Sequence, residues 1–167
     1  MLHKLRGAGT APARPSPAQI FIGLIGGVAG IGAIAYLTKL AGVPLLMAPF
    51  GATCVLLFAA PGAPLAQPRN VIGGHLIATL VGLAIMNIAG SGPWQMAAGV
   101  GLAIALMQVC RAVHPPAGAN PIVVLAAGIQ DWGFVLTPVL AGSVILVLVA
   151  LLINNAGPQK SWPTYWV

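Results

Sequence analysis

The chemistry available to this chain is concentrated in one stretch, Arg111 to Pro121, RAVHPPAGANP, which sets a cation, a histidine, three prolines and an asparagine between two apolar runs. Pro115 and Pro116 lack N–H donors and push Val113 and His114 out of helical geometry. The incoming helix is therefore predicted to stop near Ala112, and a new one to start near Pro116. The first N–H groups of that new helix, from Ala117 through Gly118 and Ala119 to Asn120, would carry the positive end of the helix dipole, and Gly118 permits close approach. Such a helix start attracts anions. His114 stands beside it. Protonated, it would hold an anion; neutral, it would take a proton, which makes it the candidate for pH coupling. The bland alternative is that His114 only bonds a carbonyl freed by the break. Arg111 is either a substrate-attracting charge at the mouth or an orientation signal.

Arg69 and Asn70, in PLAQPRN, face the same choice as Arg111, and Asn70 is read as the N-cap of a helix from Val71 onward. His75 lies one turn inside that helix after Gly73 and Gly74, placed to line a pathway or to bond a neighbouring helix. Thr53, preceded by Gly51 and Ala52, occupies the position in an earlier short segment that Asn120 occupies in the later one; each offers a side-chain hydrogen bond to a substrate or to its own helix start. Two histidines with no carboxylate or thiolate at ligand spacing make a weak metal or haem site, so no metal or cofactor is assigned. There is no nucleophile with a partnered base, no HExxH and no phosphate loop, and Asp131 is alone, so an enzyme is not expected. Cys54 and Cys110 sit in apolar runs and read as small core residues.

The elements that must position these residues are apolar. Hydrophobic residues make up 59% of the 167 and charged residues 5%, against roughly 25% charged in a soluble domain. The chain is read as an all-α membrane protein. Residues 1–19 form a basic, proline-broken tail, 20–156 a transmembrane domain, and 157–167 an aromatic interfacial tail, with Trp94 and Trp132 as further belt residues. Six segments follow: Ile20–Leu40, Pro44–Ala60, Val71–Ala89, Trp94–Cys110, Pro116–Gln130 and Phe134–Ile153. The second and fifth are too short to cross alone and need a non-helical lead-in buried in protein. A shift of 67 residues sets Pro49, Gly51, Ala52, Ala59 and Ala60 on Pro116, Gly118, Ala119, Ala126 and Ala127, and Asn87 on Asn154. Each half reads as full helix, proline-led short helix, full helix. Three crossings per half make the repeats, about 20–89 and 94–156, inverted. With the N-terminus inside, Lys4, Arg6, Arg14, Arg69, Arg111 and Lys160 are cytoplasmic, and only Lys39 lies outside, with Asp131. Re-entrant hairpins would give four crossings and sort these charges less cleanly.

The residues HPPAGANP resemble the signature of the HPP family of small integral membrane proteins, and PFGATCVLLFAAP with PLAQPRNVIGGH resembles that family's other recurrent stretch. The resemblance runs from Pro44 to about Ile153. It implies a transporter, with nitrite as the substrate attached to the family. The residues themselves imply a small monovalent anion or small polar solute, bound near the midplane where two half-helix N-termini converge. The expected partners are that anion and the lipid bilayer, with assembly as a homo-oligomer, no nucleic acid, and a bacterial inner membrane as the location. A channel and a non-transporting scaffold or sensor subunit are the rival readings.

Overall fold

The computed structural model describes residues 9–156 and 161–166. Lys4, Arg6 and Lys160 lie outside the described residues. The described chain is helical, with no strand among its elements. Helix α1 spans Pro17–Ala41 and opens on a capping box in which Ser16 and Gln19 satisfy each other's backbone donors. It ends where Gly42 takes a left-handed φ of 68°. Residues 44–47 are extended before α2, Ala48–Ala59. This is the expected non-helical lead-in, and its Leu45 N–H finds Thr38 Oγ1 of α1 at 3.1 Å. A 3-10 turn at Pro64–Ala66 leads into α3, Pro68–Ala89, and α4 follows at Pro93–Val109.

The fifth segment departs from expectation. In place of a helix over Pro116–Gln130 there is a 3-10 turn, Pro115–Ala119, then a seven-residue helix α5, Asn120–Ala126. Gly128, at φ 64°, ends it, with Ile129 N–H bonded to Val124 O and Gly128 N–H to Leu125 O. That pair of bonds is a Schellman cap, set by a glycine that the apolar run around it concealed. The last segment is also broken. A 3-10 turn, Trp132–Val135, and a wide turn, Leu136–Leu140, with Thr137 at φ −137° and ψ 112°, precede α6, Ala141–Asn154. Pro138 has no N–H and cannot continue a regular ladder. Helix α3 begins at Pro68, with Gln67 as its N-cap and no side-chain cap bond. Asn70 therefore is not the N-cap. A proline at the first helical position, already set at helical φ, moves the start three residues earlier.

Three helical stretches, Pro17–Ala41, Pro68–Ala89 and Trp132–Asn154, are long and apolar enough to cross a membrane. Helix α1 packs on α2 and α6, whereas α3 packs on α4 and α5. Helix α3 thus packs mainly on the two elements that follow it, and α6 on α1 and α2. One apolar core gathers Ile34, Leu57, Phe58 and Leu146; a second gathers Ala78, Val81, Ala103 and Met107. Large apolar residues also cover the outside, Phe21, Val28, Ile88 and Leu152 among them, a surface suited to lipid and not to water. Residues 161–166 of the C-terminal segment fold back against the bundle. Trp162 is buried, and Asn155 brackets it, accepting from Trp162 N–H at 2.8 Å and donating to Trp162 O at 2.7 Å. Trp94, Trp132 and Trp166 are exposed.

Close approach between helices rests on glycine. A Cβ at Gly82 would lie 2.9 Å from Pro121 Cα and 3.1 Å from Val124 Cβ, whereas one at Gly32 would meet nothing within 4 Å. Gly82→Ala should cost about 1–3 kcal/mol by overpacking. Gly32→Ala should stabilise by up to about 1 kcal/mol through helix propensity. Thermal unfolding of both variants in the same detergent checks the contrast.

Candidate functional site

The two stretches that carried the family resemblance fold against each other. Helix α4 ends in a Schellman cap, with Arg111 N–H on Gln108 O at 3.0 Å and Ala112 N–H on Met107 O at 2.8 Å. It stops at Val109, three residues before the expected Ala112. Arg111 fills the left-handed position, φ 54°, that glycine usually takes. That conformation costs a non-glycine residue on the order of 1 kcal/mol. Arg69 on α3 offsets it, donating Nη2–H to Cys110 O at 2.9 Å and Nε–H to Arg111 O at 3.3 Å. Asn70 Nδ2–H holds Val113 O at 2.8 Å. Gly73 and Gly74 leave room for the strand of chain so held, since a Cβ at Gly74 would sit 2.6 Å from His114 Cβ and 3.0 Å from Ala112 O.

His114, so placed, is completely buried. Its Nδ1 lies 2.8 Å from Leu65 O, in the 3-10 turn before α3, and its Nε2 lies 3.0 Å from Thr53 Oγ1 on α2. The same hydroxyl is 2.8 Å from His75 Nε2 on α3. On the other side of the His75 ring, Nδ1 faces the Asn120 amide of α5, 3.1 Å from Nδ2 and 3.3 Å from Oδ1. Asn120 Nδ2–H also reaches Thr79 Oγ1 at 2.8 Å and His75 O at 3.2 Å. Phe50 meets the His75 ring edge-on, the centroids 5.1 Å apart. Thr53, His75, Thr79, His114 and Asn120 are all fully buried. The result is an unbroken polar chain from Leu65 O to Thr79, crossing three helices inside an apolar bundle.

Hydrogen counting limits what it can hold. A carbonyl only accepts, so His114 Nδ1 carries a hydrogen, and in a neutral ring Nε2 is then an acceptor. Thr53 has one hydrogen and three acceptors in reach, the two Nε2 atoms and Pro49 O, 3.2 Å from its Oγ1. With His75 as the Nε2–H tautomer, His75 donates to Thr53 and accepts from Asn120 at Nδ1, and the Thr53 hydrogen serves either His114 Nε2 or Pro49 O. With His75 as the Nδ1–H tautomer, Asn120 Oδ1 accepts from it, and three acceptors compete for the Thr53 hydrogen. The neutral chain is at least one hydrogen short in either arrangement. A proton added at His114 Nε2 lets both rings donate to Thr53 while Thr53 donates to Pro49 O.

The Leu65 end of this chain borders a cavity of about 390 Å³ whose walls include Leu65, Arg69, Asn70, Arg111, Val113 and Tyr165. Arg69 and Arg111 thus share one vestibule, although part of the Arg69 guanidinium is occupied with the α4 cap. Tyr165 folds over it, its hydroxyl 2.8 Å from both Pro64 O and Asn70 Oδ1. The expected row of free helix N–H groups is not there. Ala117 N–H is bonded to His114 O at 3.0 Å and Asn120 N–H to Ala117 O, because two prolines start a tight turn before the helix. Nor do the remaining small residues face a polar site. Gly51 and Ala52 are exposed, and Ala52 and Ala119 line an apolar groove of about 670 Å³ between the two short segments. Gly118 is half-buried in the turn. Thr79 was not singled out in the sequence, yet it lies four residues after His75 and so on the same helix face. The Leu65 carbonyl carried no sequence signal. Among the described residues, no group of three or more His, Cys, Asp or Glu side chains is placed to hold a metal ion.

Apolar helices enclosing a buried, uncharged polar chain define an all-helical integral membrane protein. Residues 12–163 match the transmembrane region of the HPP family, and the chain belongs to that family. It is 36% identical over 129 residues to a transmembrane protein of Dictyostelium discoideum, covering 73% of this chain and 45% of the relative. A second transmembrane protein from the same organism is 36% identical over 128 residues, covering 72% and 41%. The chain spans less than half the length of these relatives. No solved structure matches it.

Thr53 is the link that makes the chain continuous. Thr53→Val should leave both Nε2 atoms without the hydroxyl and destabilise the protein by about 1–3 kcal/mol, the cost of an orphaned buried polar group. Thr53→Ser should keep the link and most of the stability. Side-chain ¹⁵N spectra should show His114 protonated at Nδ1 in the neutral wild type, and the His75 and His114 Nε2 signals should both move in Thr53→Val.

Proposed function

We propose that this protein carries a small monovalent anion, nitrite being the choice from the HPP resemblance, across the membrane together with a proton. The observation that carries the reading is the polar chain Leu65–His114–Thr53–His75–Asn120, which is at least one hydrogen short and ends at a vestibule bearing Arg69 and Arg111. A proton accepted into fully buried side chains is a charge that the apolar surroundings oppose. An anion arriving with it supplies the counter-charge, and the two arginines raise the local anion concentration at the entrance. Arg69, Arg111, His114, His75, Thr53 and Asn120 are the residues assigned to this task. Backbone N–H groups of Ala117, Gly118 and Ala119 are not.

The same proposal includes an inverted repeat. Its support is the exchange of third helices, with α3 on α4 and α5 and α6 on α1 and α2. Further support comes from the apolar groove, whose walls pair Ala48 with Pro115, Pro49 with Pro116, Ala52 with Ala119, Val55 with Ile122, and Leu56 with Val123, all 67 residues apart. Asn154 bonds Leu57 O at the end of α2, and its match Asn87 bonds Gln130 O just beyond α5. Six crossings in a bacterial inner membrane, with the N-terminus cytoplasmic, put Arg14, Arg69 and Arg111 inside and Lys39 outside. Glycines open on the outer surface, such as Gly32 and Gly101, suit assembly as a homo-oligomer.

Cysteine labelling tests the topology. In a background with the two native cysteines replaced, cysteines at Ser91 and Asp131 should react with an impermeant external thiol reagent, and cysteines at Gly62 and Arg111 should not. Labelling of Ser91 and Arg111 from one side would restore four crossings.

Flux tests the function. Purified protein in liposomes should show saturable nitrite uptake that rises with an inward proton gradient between about pH 5.5 and 8, where an ordinary histidine titrates. His114→Gln, which keeps an amide donor and loses the titrating ring, should transport without responding to the gradient. Uptake that never saturates would favour a channel; no flux of any anion would favour a scaffold.

A further inference from the structure

At the end of the bundle where α1 begins and α6 finishes lies a cavity of about 280 Å³ that the polar chain does not use. Its polar lining comes from Gln19, Asn154, Ser161, Trp162 and Thr164. Trp162 is 5% exposed, and its indole N–H has no hydrogen-bond partner among the described residues. A second cavity, of about 500 Å³, shares Gln19 and Ala59 with the first and adds Arg14. The only acidic residue of the chain, Asp131, follows α5 and belongs to the opposite end. Arg14 is thus a cation with no acidic side chain near it. A third cavity, of about 270 Å³ and nearly all apolar, shares Gly23 and Ala59 with the second and continues between α1 and α2 past Gly27 and Ile31.

Adjoining through these shared lining residues, the three cavities trace a path that is polar and cationic at its start and apolar at its far end. From Gln19 to Ile31, α1 rises about 18 Å at 1.5 Å per residue. Half of a ~30 Å hydrocarbon core is about 15 Å. The path is therefore long enough to take the acyl chain of one leaflet. Glycines make it: a Cβ at Gly27 would meet nothing within 4 Å, and one at Gly23 only Phe58 O at 3.9 Å.

We infer that this path binds one anionic phospholipid. Its phosphate is held by Arg14, with Gln19, Ser161, Thr164 and the Trp162 indole N–H within the same pair of cavities to bond phosphate and ester oxygens, and one acyl chain lies along Gly23 and Gly27. Basic pockets between helices on the cytoplasmic side are suited to such headgroups. The lipid would join α1 and α2 to the C-terminal segment that folds over the vestibule.

The test is native mass spectrometry of the full chain, delipidated and then titrated with phosphatidylglycerol, with phosphatidylcholine, and with inorganic phosphate. One phosphatidylglycerol per chain is expected to survive activation that strips phosphatidylcholine. Arg14→Gln should weaken phosphatidylglycerol binding about fivefold and leave phosphatidylcholine unchanged. Gly27→Leu, which fills the groove from an open position, should weaken phosphatidylglycerol with circular dichroism unaltered. Equal retention of the two lipids, or no effect of Arg14→Gln, would overturn the headgroup assignment. Inorganic phosphate displacing phosphatidylglycerol at comparable concentration, or binding untouched by Gly27→Leu, would overturn the acyl groove.

Discussion

A bilayer offers no water to a backbone group that leaves its helix, so every break in a membrane helix has to be closed by the protein itself. This chain breaks its helices repeatedly and closes most breaks with a polar side chain from elsewhere. Thr38 takes the Leu45 N–H, Gln67 donates to Pro61 O and Ala63 O, Arg69 to Cys110 O and Arg111 O, Asn70 to Val113 O, and Asn154 to Leu57 O. Few polar side chains remain once this work is assigned. Those that do are found together.

His114 belongs to both sets. Its Nδ1–H closes the Leu65 carbonyl, which is the bland role the sequence allowed, and its Nε2 opens the chain through Thr53 to His75 and Asn120. The first bond is what fixes the second. A carbonyl accepts only, so it forces the His114 tautomer and leaves an acceptor pointing at a hydroxyl that has one hydrogen for two rings and the Pro49 carbonyl. A structural bond and a proton-accepting chain are consequently one arrangement, and a substitution at His114 disturbs both.

The tight packing that brings these groups together has the same origin. Gly74 admits His114 Cβ and the Ala112 carbonyl, and Gly82 admits Pro121, so α3 becomes the surface against which the interrupted fifth segment is laid. The residues Arg69, Asn70, Gly73, Gly74, His75 and Thr79 all serve that contact or the polar chain behind it. The pattern on α3 makes sense only with its partner in place.

Much of this was readable from the residues. Charge scarcity and apolar runs determined a membrane protein, since so few polar groups can cover no soluble surface, and Pro115 and Pro116 determined a break, since neither has an N–H. Matched positions marked Thr53 and Asn120, which lie on either side of His75 in the folded protein. Three things were decided only by tertiary structure. A left-handed Arg111 carried no local signal, because its strain is relieved by Arg69, 42 residues away. The N–H groups after Pro116 looked free because helix geometry leaves them so, and they are consumed by a 3-10 turn whose form depends on packing. The partners of His114, on α2 and before α3, follow from which helices touch, and pairing between distant segments is information that local propensity and spacing do not contain.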